Sequence, residues 1–114
     1  MKIAVSTVGP KKTDKLEPRF GRANYFVVYD TETKEYTHLD NSAIQSAAHG
    51  AGPQTAQLIF DAQVDVVLTG NGPGQNAFRV LETGNIKMFI CKEDISAEEV
   101  IQKHLNNELK AFSN

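Results

Sequence analysis

The chain has 114 residues, 40% hydrophobic and 23% charged, with a formal charge of -2 and one cysteine. These values fit one globular domain over residues 1–114 and exclude a disordered chain or a disulfide-stapled scaffold. The charge argues against broad nucleic-acid or anionic-membrane binding, and no apolar run suits a signal peptide or the ~20 residues of a membrane span, so the expected location is the cytoplasm.

Residues 3–7, Ile-Ala-Val-Ser-Thr, form a short run that is apolar or small on both faces, which predicts a central strand. A polar segment follows over residues 9–24, with a turn at Gly9-Pro10 and five cations, Lys11, Lys12, Lys15, Arg19 and Arg22. That is long for a connection, and long loops in compact domains often carry function. The aromatic and β-branched run Tyr-Phe-Val-Val-Tyr-Asp at residues 25–30 predicts a strand. The more polar run 35–40 predicts its hairpin partner at a sheet edge.

After a loop over residues 41–52 the period changes. Ala56, Ile59 and Phe60 repeat at helical spacing, predicting a helix over residues 53–62 with Pro53 in its first position. A buried strand is expected at 64–69, a glycine turn at 70–74, and a helix at 75–83 closed by a left-handed Gly84. A strand follows at 86–91. Ser96-Ala97-Glu98-Glu99 is a capping box opening a third helix, with Val100, Ile101 and Leu105 on one face. The last residues are expected to fray.

The order β-β-β-α-β-α-β-α predicts an α/β fold of three layers, α/β/α. Its sheet is expected to be mixed and five-stranded, in the order 3-2-1-4-5, with only strand 2 antiparallel. In such sheets ligands bind at the carboxyl ends of the strands. The loops carrying Arg19 and Arg22, His49 to Gly52, Gly70 to Gly72, and Cys91 should all meet there.

Each of these features has a chemical reading and a plain one. His49-Gly50-Ala51-Gly52-Pro53 joins an imidazole to uncovered backbone at a helix start, where free amides attract anions. It reads as a metal or anion site, or as a surface turn. Gly70-Asn71-Gly72-Pro73-Gly74 lacks the Lys-Ser/Thr of a phosphate loop, so it reads as a tight turn able to lend amides to an anion. Arg19 and Arg22 can clamp anionic groups or sit on a solvated loop. Cys91, followed by Lys92, reads as a metal ligand or as a small buried hydrophobe. His38 and His104 read as surface or edge residues. Catalysis is not expected, because no nucleophile elbow or Cys/His pairing is present. The strand order is similar to that of ribonuclease H, yet the first strand lacks the acid that a two-metal nuclease requires.

Taken together, the chain resembles the dinitrogenase iron-molybdenum cofactor biosynthesis family. The matching pieces are Met1-Lys2-Ile3-Ala4-Val5, Phe20-Gly21-Arg22-Ala23-Asn24-Tyr25-Phe26, Asn41 followed by His49-Gly50-Ala51-Gly52, and Val64-Asp65-Val66-Val67-Leu68-Thr69-Gly70. The glycine turn and Gly84-Asn85-Ile86-Lys87 complete the pattern. Many relatives carry a histidine just before Phe-Gly, where this chain has Arg19. The resemblance implies a ribonuclease H-like fold and a non-catalytic carrier or assembly accessory for an iron-molybdenum or iron-sulfur cluster. Arg22, His49, Gly50, Gly52 and Asn71 are then the expected cofactor-binding residues, and His49 and Cys91 the expected metal contacts. The implied partner is a metallocluster donor or acceptor protein, and a homodimer would double the ligand count. A metal-free anion- or nucleotide-binding module and a regulatory interaction domain are the alternatives.

Overall fold

The computed structural model describes residues 1–113. Strand β1 (Lys2–Thr7) lies inside a mixed sheet, with β2 (Tyr25–Asp30) antiparallel on one side and β4 (Val66–Thr69) parallel on the other. Strand β3 (Tyr36–Asp40) closes the hairpin with β2, and β5 (Lys87–Ile90) runs parallel to β4. The run at 2–7 earns its central place because five of its six side chains are buried.

The sheet differs from expectation at its far edge. It has six strands in the order β3-β2-β1-β4-β5-β6, because β6 (Lys110–Ala111) pairs antiparallel with β5. Strand β2 is therefore not alone in running against the others. The tail is paired as far as Phe112, whose amide donates to the Met88 carbonyl at 2.8 Å, and Leu109 and Phe112 pack against the core; the expected fraying of the final residue, Asn114, lies outside the described residues. Two exposed strand residues, Lys110 and Ala111, leave no alternating pattern to read in the sequence.

Helices α2 (Ala51–Asp61) and α3 (Gln75–Thr83) cover one face, where Ala56, Ile59, Ala77 and Leu81 meet Phe26, Val67 and Met88. Helix α4 (Ala97–Leu105) covers the other, setting Val100 and Ile101 against Ile3, Val5 and Leu68. The expected 41–52 loop contains a short helix, α1 (Ser42–Gln45), started where Asp40 accepts the Ser42 amide at 2.9 Å.

Two local expectations are corrected. Helix α2 begins at Ala51 after a left-handed Gly50 (φ 76°), so Pro53 is third in the helix rather than first. Its missing N–H still falls among the first four, where no intrahelical partner exists. Gly84 is not left-handed (φ -84°); Asn85 takes that conformation at φ 58°. Gly84 instead makes room for Phe60, whose ring carbon would lie 2.5 Å from an added Cβ.

Candidate functional site

The carboxyl end of the sheet is built by hydroxyls and glycines. Ser6, Thr7 and Thr69 end their strands fully buried. Ser6 Oγ lies 2.6 Å from the Glu17 carbonyl and 2.8 Å from Thr69 Oγ1, which donates to the Pro18 carbonyl at 3.1 Å. These bonds draw the 16–19 loop across the ends of β1 and β4. Gly70 lets Pro18 sit directly on the turn, since an added Cβ would stand 2.7 Å from Pro18 Cα.

Beyond that loop, Phe20–Arg22 forms a 3-10 turn, with Phe20 buried edge-on against Phe26 at 5.6 Å. Gly21 presses its backbone on α2: an added Cβ would lie 3.1 Å from Gly52 Cα. On its other side, Gly52 faces Ala77 of α3, 3.5 Å from where its own Cβ would be. The first turns of α2 and α3 therefore stand side by side. Buried Asn41 fastens the group, donating to the Ala23 carbonyl at 2.9 Å and to Thr55 Oγ1 of α2 at 3.1 Å.

Neither first turn is sealed. Helices α2 and α3 have glycine at the N-cap, no side-chain cap and no acid in the first turn. The amides of Ala51, Gly52, Gln75 and Asn76 find no acceptor among the described residues. Such a pair of helix starts carries partial positive charge and donors that suit an anion.

The expected site residues divide between two places. Gly50 and Gly52 form the α2 start, with exposed His49 immediately before it. Arg22 is adjacent, but its Nη1 donates to the carbonyls of Gln45 and Ala47, the latter at 2.9 Å, so it also braces the loop leading to α2. Asn71 and Cys91 belong to a separate cleft of about 330 Å³, lined by Leu16, Pro18, Gly70 and Lys92 among others. There Lys92 Nζ donates to Asn71 Oδ1 at 3.1 Å, and Cys91 is 2% exposed, packed in the α4 layer. No group of three or more His, Cys, Asp or Glu side chains converges on a metal position among the described residues.

Arg19 is engaged elsewhere. Its guanidinium meets Glu17 at 3.2 Å. Burial alone would raise the Glu17 carboxyl, but the hydrogen bonds and charge of Arg19 outweigh it and hold it below the ordinary carboxylate value. His104 is partly covered where it lies on the Phe89 ring, 4.5 Å between centroids, and burial holds its imidazole below the ordinary value. The residues that sequence reasoning left out of the site are Gly21 and Asn41. Phe-Gly-Arg signalled the first of them, because a glycine between two larger side chains marks a close backbone approach.

A three-layer α/β protein with two open helix starts at the carboxyl end of its sheet is the class these features define. The profile described as dinitrogenase iron-molybdenum cofactor matches residues 1–107, and the chain belongs to that family. The apo orange protein from Desulfovibrio gigas is 34% identical with a TM-score of 0.92, over 99% of this chain and 93% of that one. A NifB-like protein from Thermotoga, of the DUF35 family, is 28% identical with a TM-score of 0.84, over 99% and 97%. An uncharacterized protein of Methanocaldococcus jannaschii is 29% identical over 98% of this chain and 92% of its own.

Proposed function

We propose that this protein is a non-catalytic carrier or assembly accessory for an anionic metallocluster of the iron-molybdenum or iron-sulfur type. The observation that carries this reading is the pair of unsealed helix starts, α2 and α3, side by side next to Arg22 and His49. Family membership and the likeness to a NifB-like protein support the cluster as cargo.

The donor set suits a cluster that arrives with its own ligands. One chain offers a single thiolate, which excludes a four-cysteine cage within one chain. Open amides and guanidinium N–H groups instead hydrogen-bond the sulfide or other anionic atoms at a cluster surface. Gly50, Gly52 and the free N–H groups of Arg22 take that role, and His49 supplies the one nearby imidazole. Asn71 and Cys91 would take part only through the second cleft. Loose holding of this kind suits delivery between a donor and an acceptor protein.

Anaerobic reconstitution with a preassembled iron-sulfur or iron-molybdenum cluster, followed by desalting and metal analysis, tests the reading. Retention should fall in His49→Ala more than in Cys91→Ala; unchanged retention in both removes these residues as ligands. The same open amides also favour a metal-free anion module. Thermal stabilisation of the apo protein by a phosphate compound, with none from clusters, would establish that second reading instead.

A further inference from the structure

We infer that Phe112 is a positioning residue for the start of α3, and that the β6 segment is a latch whose seating and cargo binding favour one another. The binding half of this inference rests on the site proposed above; the latch itself does not.

The turn from Gly70 to Gly74 delivers the α3 amides to the site, and it is wedged from two sides. Pro18 bears on Gly70 and accepts the Asn71 amide at 2.8 Å. On the other side the Phe112 ring occupies the space that a side chain on Gly72 would fill. The same ring meets Phe78, in the first turn of α3, at 5.4 Å and 71°. One side chain thus touches both the turn and the helix it launches, at the point where, among the described residues, no amide of the turn after Asn71 donates a backbone bond.

The backbone hold on that side chain is slight. Among the described residues, strand β6 has two residues, both exposed, and pairs at Phe89 and Ile90 alone. The Phe112 amide adds one bond to Met88 at 2.8 Å. A segment held by so few backbone bonds opens locally before the domain unfolds. When it opens, the turn loses one of its two walls and the α3 amides lose their fixed aim. By linkage, a ligand that needs those amides in place must also favour the seated β6 by the same factor.

Amide exchange in Phe112→Ala, Phe112→Leu and Gly72→Ala, with and without inorganic phosphate at constant ionic strength, tests this. In the free protein, Phe112→Ala should raise exchange at Gly72 to Phe78 at least tenfold while leaving β1 and β4 amides unchanged. Phe112→Leu should recover most of the protection. Gly72→Ala should free the Phe112 amide by expelling the ring, and the Gly72→Ala/Phe112→Ala double variant should lose less than the sum of its parts. Unchanged exchange at Gly72 to Phe78 in Phe112→Ala overturns the latch.

Phosphate should slow exchange at the Phe112 amide and bind Phe112→Ala several-fold more weakly than the parent. Equal phosphate affinity in both overturns the coupling while leaving the site reading intact. Failure of the parent to bind phosphate or any cluster overturns the site reading and with it the coupling; the latch stands or falls on the exchange arm.

Discussion

Helix α4 and helices α2 and α3 all begin at the same end of the sheet, but their first turns are finished in opposite ways. At α4, the amides of Ala97 and Glu98 donate to the carbonyls of Asp14 and Lys12 at 2.9 and 3.0 Å. The Glu99 amide donates to Ser96 Oγ, the Glu99 carboxylate accepts from the Ser96 amide, and Glu98 and Glu99 put negative charge on the first turn. At α2 and α3 the corresponding positions are glycines with no cap and no acid. A sealed helix start contributes stability. An open one gives that up and keeps its donors for something outside the chain.

The comparison can be broken most forcefully at Asn41, which ties the open side together. Asn41→Ala strands the Ala23 carbonyl and the Thr55 hydroxyl in the core. It should lower stability by about 3 kcal/mol in urea melts and loosen cluster retention as well. Next is the sealed side. Ser96→Ala removes the capping box and should cost about 1 kcal/mol, seen as a melting temperature lower by about 4 °C. Cluster retention should not change; a loss there would end the distinction between sealed and open starts.

Gly74→Asp asks the converse question. Gly74 has backbone angles of -64° and 166°, close to the -72° and 160° of Ser96, and open space where a side chain would go. An aspartate there should stabilise the apo protein by about 0.5 kcal/mol while competing with anionic cargo for the α3 amides. Retention should therefore drop as stability rises. The smallest effect lies at the far end of α4. The helix terminus favours a protonated His104, yet burial against Phe89 wins and lowers its value. The unfolded chain then binds more protons, so stability should fall as pH drops below about 6.5 and level off under the folded value. His104→Gln should flatten that part of a urea-midpoint profile.

Much of the fold was legible because local chemistry repeats. The run at 25–30 reads as a strand from its aromatic and β-branched residues, and Ser96 with Glu99 reads as a helix start from its spacing alone. Strand β6 was not legible: its placement depends on Phe112 finding Phe78 and Gly72, both more than thirty residues earlier in the chain. Gly84 misled for a related reason. The residue is glycine because Phe60 crosses it, while Asn85, equally able to adopt a left-handed conformation, makes the turn.

The candidate site was legible as a set of loops and not as a set of contacts. Alternation of strands and helices was enough to bring His49, Arg22, Asn71 and Cys91 toward one end of the sheet, because parallel crossovers return every such loop to the same edge. Which face each residue serves was decided only by the packed structure. Cys91 turns into the α4 layer, Asn71 is engaged by Lys92, Arg19 by Glu17, and Arg22 braces the approach to α2. The sequence alone determined the first five strands, the three longer helices, their order and the glycines at two helix starts, since those follow from local periodicity and backbone freedom. Only the tertiary structure set the two starts against each other, because a close approach of two backbones is a property of pairs of residues far apart in the chain.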